Sequence, residues 1–482
     1  MVLLALLLIP FLTAFALMLA RPTSNARHIA LGSTFVSLGL VMYLWWSYVP
    51  GTTWVPVQHA WAPSLGLNFS LGFDGIGLLM LLLTAVVFPF IIAAGYRQNL
   101  QHPSMVNALL LFTQSFLFGV FTAQNAFLFY IFYELSLVPV FFLLLYWGGE
   151  HRRAITVRFF IYTLLGGLML LFGLAYCVMR TTPISADFAV LHALNIPADT
   201  QVWLFWALFL AFAIKLPIFP FHSWQPDTYT MAPLQGTMVL GGVMLKMGLY
   251  GVLKFVFPIV PIGVEHWRDT VIWLSIFGAL YAGVIAFRQQ DLKRLVAYSS
   301  LSHVGLLCAG LFAWNVYGVG GSLYQAFAHA VLVVSMLYIV GALKERTGTS
   351  ELGAMGGLKG KAPRLAALFF LVMINAVALP LTQSFVGEWL MFNGLWQHDG
   401  WMALAAVATI ILGAVYMLYA YQRAMLGPDR WKMEMADAGG NDHLYLVPLI
   451  AITLVLGVYP APILDLVNGP VQQMLSTLTA LN

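Results

Sequence analysis

Charge is what this chain has least of. Lys, Arg, Asp and Glu make up 8% of its 482 residues, against about 25% in a soluble domain, while 61% are hydrophobic. That excludes an ordinary soluble protein and indicates a polytopic membrane protein. Cysteine is almost missing: Cys177 and Cys308 lie in apolar stretches, fit no metal spacing and read as packing residues, so no disulfide framework is expected. No glycine-rich phosphate loop follows a strand, and Cys and His do not cluster as iron–sulfur or haem ligands. No cofactor or metal is therefore expected in this chain, and any redox chemistry belongs to another. Strand-like alternation is lacking too, which argues against a barrel.

What is present is a succession of apolar runs near 2–20, 28–48, 75–95, 105–122, 124–146, 157–179, 202–219, 231–256, 270–287, 295–313, 319–342, 364–395, 401–422 and 443–461. Each is long enough to cross a hydrocarbon core of about 30 Å as a helix. The expected fold is an all-α membrane bundle of about 14 transmembrane helices. The first run lacks a basic leader and Arg21 follows it, so it reads as a retained helix and not a cleaved signal. With the N-terminus outside, seventeen basic residues, from Arg21 and Arg27 to Arg430 and Lys432, fall in inner connections, and only Arg180, Lys254 and Arg268 fall outside. This asymmetry is the positive-inside pattern. The net charge of +4 is thus a topological signal and no indication of nucleic acid; both termini are expected on the outer side.

Four charges interrupt these runs: Glu134, Lys215, Lys246 and Glu388. A charge at mid-bilayer costs at least about 3 kcal/mol and usually marks an ion path. The chain also reads as doubled. Lys215 stands before Pro217, Pro220 and Pro226, and Glu388 follows Pro380, 173 positions apart; Glu134 and His303 are 169 apart. Near-equal offsets predict two five-helix repeats, each with a broken helix, about 105–257 and 270–424, the second domain counted as 258–424 with its connection. The segment 1–104 precedes them and 425–482 follows. Five is odd, so the copies are inverted, a transporter signature with ion sites near the midplane. The plainer reading is that the prolines only kink packed helices.

Glu134 lies in FLFYIFYELSLVPVFFLLLY, apolar on every helical face, and must pair, protonate or meet internal water; a structural ion pair is the alternative. Lys215, beside the Pro217 break, suits proton exchange. Lys246 in GGVMLKMGLYGVL is set among small residues, with too much apolar chain on either side to snorkel. His303 and His329 are softer signals, since a lone helical His is often a core residue. In this company they extend a row that carries protons laterally, Glu134, Lys215, Lys246, His303, His329, Glu388. His222, with Trp224 and Asp227, reads as shaping the loop after the first break.

FDGIGLLM, FYELSLVPVFFLL, KLPIFPFHSWQPDTYTMAP, MLKMGLYGVLKF, DLKRLVAYSSLSHVG and FVGEWL, in one order from about residue 70 to 425, resemble the motifs of the antiporter-like subunits of respiratory complex I. Within that family the acidic residue of the second broken helix resembles subunit M of NADH:quinone oxidoreductase, whereas the L and N types and Mrp-type subunits usually carry lysine there. The resemblance implies that Glu134 and Lys215 form the first-half ion pair, Lys246 is the central lysine, Glu388 the terminal proton site, and His303 and His329 connecting groups. It implies partners of the L and N types and, through them, a hydrophilic redox arm holding NADH, FMN, iron–sulfur clusters and quinone, in a bacterial inner membrane. Gln225, Tyr229 and Leu381 depart from the family pattern. The alternatives are an Mrp-type cation/proton antiporter subunit and a structural membrane subunit of a hydrogenase-type complex.

Overall fold

A computed structural model describes residues 1–19, 25–62, 66–98, 100–428 and 435–479. Arg21, Arg430 and Lys432 lie outside the described residues. Among those described, thirteen helices are long and apolar enough to cross a membrane, and every expected run has a helical counterpart.

By residue range the elements are α1 (Val2–Leu19), α2 (Ala26–Ser47), the strands β1 (Trp54–Ala62) and β2 (Leu67–Phe73), α3 (Gly75–Ala94), α4 (Pro103–Thr122), α5 (Ala126–Leu135), α6 (Leu137–Trp147), α7 (Arg152–Val178), α8 (Phe188–His192), α9 (Ala198–Lys215) and α10 (Gln225–Met231). They continue as α11 (Leu234–Ile259), α12 (Pro261–Arg288), α13 (Leu292–Phe312), α14 (Val316–Thr347), α15 (Pro363–Ala376), α16 (Gln383–His398), α17 (Gly400–Met425), α18 (Gly440–Val458) and α19 (Ala461–Thr479). Helix starts are set by short polar side chains that accept orphan backbone N–H groups. Asp74 accepts from Gly77 N at 2.9 Å, Asn125 from Phe127 N, Asp291 from Arg294 N, Asn315 from Gly318 N and Asp399 from Trp401 N.

Four features depart from the expected bundle. The all-α expectation omits an antiparallel hairpin, β1 with β2, which pairs Val57 with Leu71 and His59 with Phe69. The run 124–146 is interrupted at Ser136, because Pro139 has no N–H for the carbonyl of Leu135. The run 364–395 is two helices: α15 stops at Ala376, and Ala378 and Leu381 adopt left-handed φ of 52° and 75° before α16 begins. Asn375 spans this break, accepting from Ser384 N at 3.3 Å. Finally, α19 follows the last expected span.

The chain divides into two compact units. The first holds residues 1–217, 231–270 and 465–482. In it α1 lies along α4, where Ser115 Oγ donates to Leu7 O at 2.8 Å. The second holds 218–230 and 271–464; there α14 lies along α16, and Arg346 on α14 reaches Asp442 on α18 at 2.9 Å.

Candidate functional site

In the first unit, α5 and α7 meet where Gly167 leaves a gap for Glu134. A Cβ on Gly167 would overlap Glu134 Oε1, so the glycine is what lets the carboxylate lie against α7. The break at Ser136 follows two residues later, with Ser136 Oγ donating to Tyr133 O at 2.7 Å. Lys215, 2% exposed, ends α9 at the point where Pro217 stops the helix. Its Nζ stands 4.9 Å from the centre of the Tyr133 ring, a cation–π distance. Neither Glu134 Oε1 nor Lys215 Nζ has a hydrogen-bond partner among the described residues. The expected ion pair is therefore an open pair, with the lysine on an aromatic face and not on the carboxylate.

Lys246 is fully buried in α11. It is flanked by two π-helical segments, Leu240–Met244 and Val252–Val256, and its Nζ donates to Gly241 O at 2.8 Å. A π-turn disturbs the i to i−4 ladder and recurs at functional positions; here it leaves a carbonyl for the lysine. At the far end of α11, Lys254 bonds Asp74 at 2.5 Å and lies 5.6 Å from the Tyr250 ring. Lys254 is thus inside a span and ion-paired, not a loop charge as the topology count supposes. Burial raises the Asp74 carboxyl, but Lys254 and the Gly77 N–H together hold it below the usual carboxylate range. Beside it, burial pushes His192 down to about 4, so it is neutral at physiological pH; its Nε2 is 2.9 Å from Lys254 O.

The second unit brings three predicted residues together. His303 Nδ1 lies 3.2 Å from Glu388 Oε1, both nearly buried, and the His303 and His329 rings are 6.0 Å apart. His303 Nε2 is buried without a partner among the described residues, and His329 Nε2 is 3.1 Å from Ser300 Oγ. Two small cavities adjoin this row. One is lined by Ser299, Ser300, His303 and His329, the other by His303, Glu388, Thr409 and Tyr416. Each offers about 10 Å³ for the centre of a water molecule, about the least that accommodates one. Tyr416 OH and Ser299 Oγ, 3.1 Å apart, connect the two walls. Gln325, its amide buried without a hydrogen-bond partner among the described residues, packs on Gly387 next to Glu388.

In the stretch after the first break, His222 stacks on Phe219 and Asp227 pairs with Arg294 at 3.2 Å. Sequence reasoning missed Gly167, Tyr133, Ser300, Tyr416 and the Asp74–Lys254 pair. A signal existed for two of them: Tyr133 adjoins Glu134, and Ser300 is three residues from His303. Among the described residues no three His, Cys, Asp or Glu side chains group as metal ligands.

A many-span helical protein with buried, loosely partnered ionisable groups at helix interruptions has the build of an ion carrier. The sequence profile of the family NADH:quinone oxidoreductase/Mrp antiporter, TM, matches residues 123–413, and the chain belongs to that family. It is 35% identical over 444 residues to NADH-quinone oxidoreductase subunit M of Rickettsia conorii, covering 92% of this chain and 90% of the relative. It is 34% identical over 463 residues to the Rhodobacter capsulatus subunit M, covering 93% and 90%. A chain of respiratory complex I from Thermus thermophilus with bound NADH superimposes with a TM-score of 0.90 at 28% identity, over 98% of this chain and 100% of that one.

Proposed function

We propose that this chain is the M-type, proton-translocating membrane subunit of an NADH:quinone oxidoreductase, working beside L- and N-type subunits in a bacterial inner membrane, its basic connections inward and its termini outward. The observation that carries the proposal is the open pair: two opposite charges, held apart in an apolar interior at helix breaks, on a chain 35% identical to a subunit M. A structural salt bridge would close, because an unpaired buried charge costs several kcal/mol. A switch must be able to open.

The mechanism is a change in pairing. As Glu134 moves toward or away from Lys215, the lysine's hold on its proton changes; Lys246 relays the proton, and His303, His329 and Glu388 serve as the terminal set. The two breaks belong to inverted repeats, about 105–257 and 258–424. Exporting one charge against 100 mV takes about 2.3 kcal/mol, well within what pairing or separating two buried charges supplies. Lys215→Ala and Glu134→Ala are each expected to lower NADH-driven proton uptake into vesicles severalfold while the complex assembles. Near-normal pumping in both would defeat the pair mechanism.

Gly167 supplies a separate test, because it acts only by giving Glu134 room. The overlap that Gly167→Ala creates is with the tip of a flexible side chain, so folding should survive. The displaced carboxylate should lower pumping by roughly tenfold or more, as small misplacements of a reacting group do. Unchanged pumping in reconstituted vesicles would show that the position of Glu134 against α7 is immaterial.

A further inference from the structure

In the second unit the cavity lined by Ser299, Ser300, His303 and His329 is completed by apolar side chains alone: Val296, Leu332, Val333, Met336 and Met417. Each of the five is 5% exposed or less. They close one end of the cavity. Ser322 Oγ donates to Leu307 O at 2.8 Å and His329 meets Ser300, so α13 and α14 run antiparallel. Val296 is seven residues before His303, and Met336 seven beyond His329. Both steps lead about 10 Å along the axis in the same direction, toward the helix ends that carry Lys293, Lys344 and Arg423.

The order along α13 makes the same point. Lys293, Val296, Ser300 and His303 recur at intervals of three, four and three residues, which is one helical face. That face is polar at Lys293, whose Nζ donates to Thr230 O at 3.1 Å, apolar for one turn, and polar again at Ser300 and His303. A proton crosses such a stretch only if water or another polar group bridges it, and a hydrophobic constriction blocks passage by staying dry. The apolar turn is short enough that one added polar group would span much of it.

We propose that Val296, Leu332, Met336 and Met417 form a dry collar that gives transport through the second unit its direction, by keeping protons on His303, His329 and Glu388 from returning to the face that carries Lys293. The proposal rests on the proton-carrier reading above and adds to it a part on which net transport depends: a row open to both faces at once would short-circuit the gradient. The two methionines are the sensitive points of the collar. Glutamine has nearly their length and shape but brings a donor and an acceptor, set beside a cavity with room for about one water.

The test uses the complete membrane complex containing this chain, reconstituted in vesicles that enclose a pH-sensitive dye. A pH step is imposed with no NADH present and the voltage clamped by potassium and valinomycin, so that only the passive return of protons is read. Met336→Gln and Met417→Gln, each normalised to assembled complex, are expected to speed the collapse of the step about tenfold, which is what one added hydrogen bond gives when it lowers the barrier to a proton hop. Met336→Leu keeps the collar apolar and should hold the step as the unsubstituted complex does. Adding Glu388→Gln to Met336→Gln should remove the leak, since the row then ends at a group that cannot ionise, whereas a general packing defect would go on leaking. Tight vesicles with both glutamine variants, an equal leak in Met336→Leu, or a leak that survives Glu388→Gln would each overturn the collar. Normal NADH-driven pumping in both Lys215→Ala and Glu134→Ala would bring down the proton-carrier reading and the collar with it; pumping lost in those variants while the glutamine vesicles stay tight would bring down the collar alone.

Discussion

Lys246→Arg is expected to abolish proton pumping nearly as completely as Lys246→Ala, although it keeps the positive charge. The reason is the difference between carrying a charge and releasing a proton. Arginine's guanidinium has a pKa above about 12 and does not deprotonate at working pH, whereas a lysine in the same place can give its proton up. Lys246 is fully buried and hydrogen-bonded to Gly241 O. Loss of a proton-transfer group typically costs two to four orders of magnitude in the step it serves, about 10²–10⁴. Proton uptake by vesicles containing each variant, normalised to assembled complex, decides the matter. Full pumping with arginine would assign Lys246 an electrostatic role only.

Glu388→Gln should be the second severe variant, and Glu388→Asp a mild one. Glutamine preserves the shape that packs α16 against α14 but cannot ionise. Its amide also meets His303 Nδ1, now 3.2 Å from a carboxylate oxygen, with a group that neither takes up nor gives up a proton at neutral pH. Aspartate retains the acid and loses one methylene of reach, which the adjoining cavity gives room to bridge through a water. Coupled quinone reduction and pumping in the purified complex should both fall about tenfold or more in the glutamine variant. Aspartate should keep much of the activity. Equal turnover for glutamine and glutamate would remove Glu388 from the proton path.

The spans and the four charges were legible because the bilayer imposes them: about twenty apolar residues per crossing, and a cost for every charge within. The break at Pro217 was legible for the same kind of reason, since proline cannot continue a helix. What escaped the sequence depends on contacts between distant segments. Gly167 is one of 42 glycines, and nothing local marks it as the one that faces Glu134. The π-turns around Lys246 leave no periodic signature in a helix that is apolar on all sides. Lys254 looked like a loop charge because its partner, Asp74, is 180 positions away. The hairpin β1–β2 was missed although β2, LNFSLGF, alternates strictly; β1, WVPVQHAWA, does not alternate and contains Pro56, which weakens its strand signal. At Leu381 the sequence signal was a departure from the family pattern, and the structure gives it physical content: the residue holds a φ of 75°, where a side chain is sterically disfavoured.

The carbonyl of Gly241 has an electrical meaning. A lysine held by a carboxylate leaves a bare negative charge behind when its proton departs, and that charge must be neutralised before the next cycle. A peptide carbonyl is a fixed dipole: it accepts a hydrogen bond from an ammonium or from a neutral amine and carries no net charge in either case. Lys246 is thus placed like a plate of a small capacitor whose dielectric is built into the helix backbone. The contact between Lys246 Nζ and Gly241 O therefore stays free of net negative charge whether or not the lysine holds its proton.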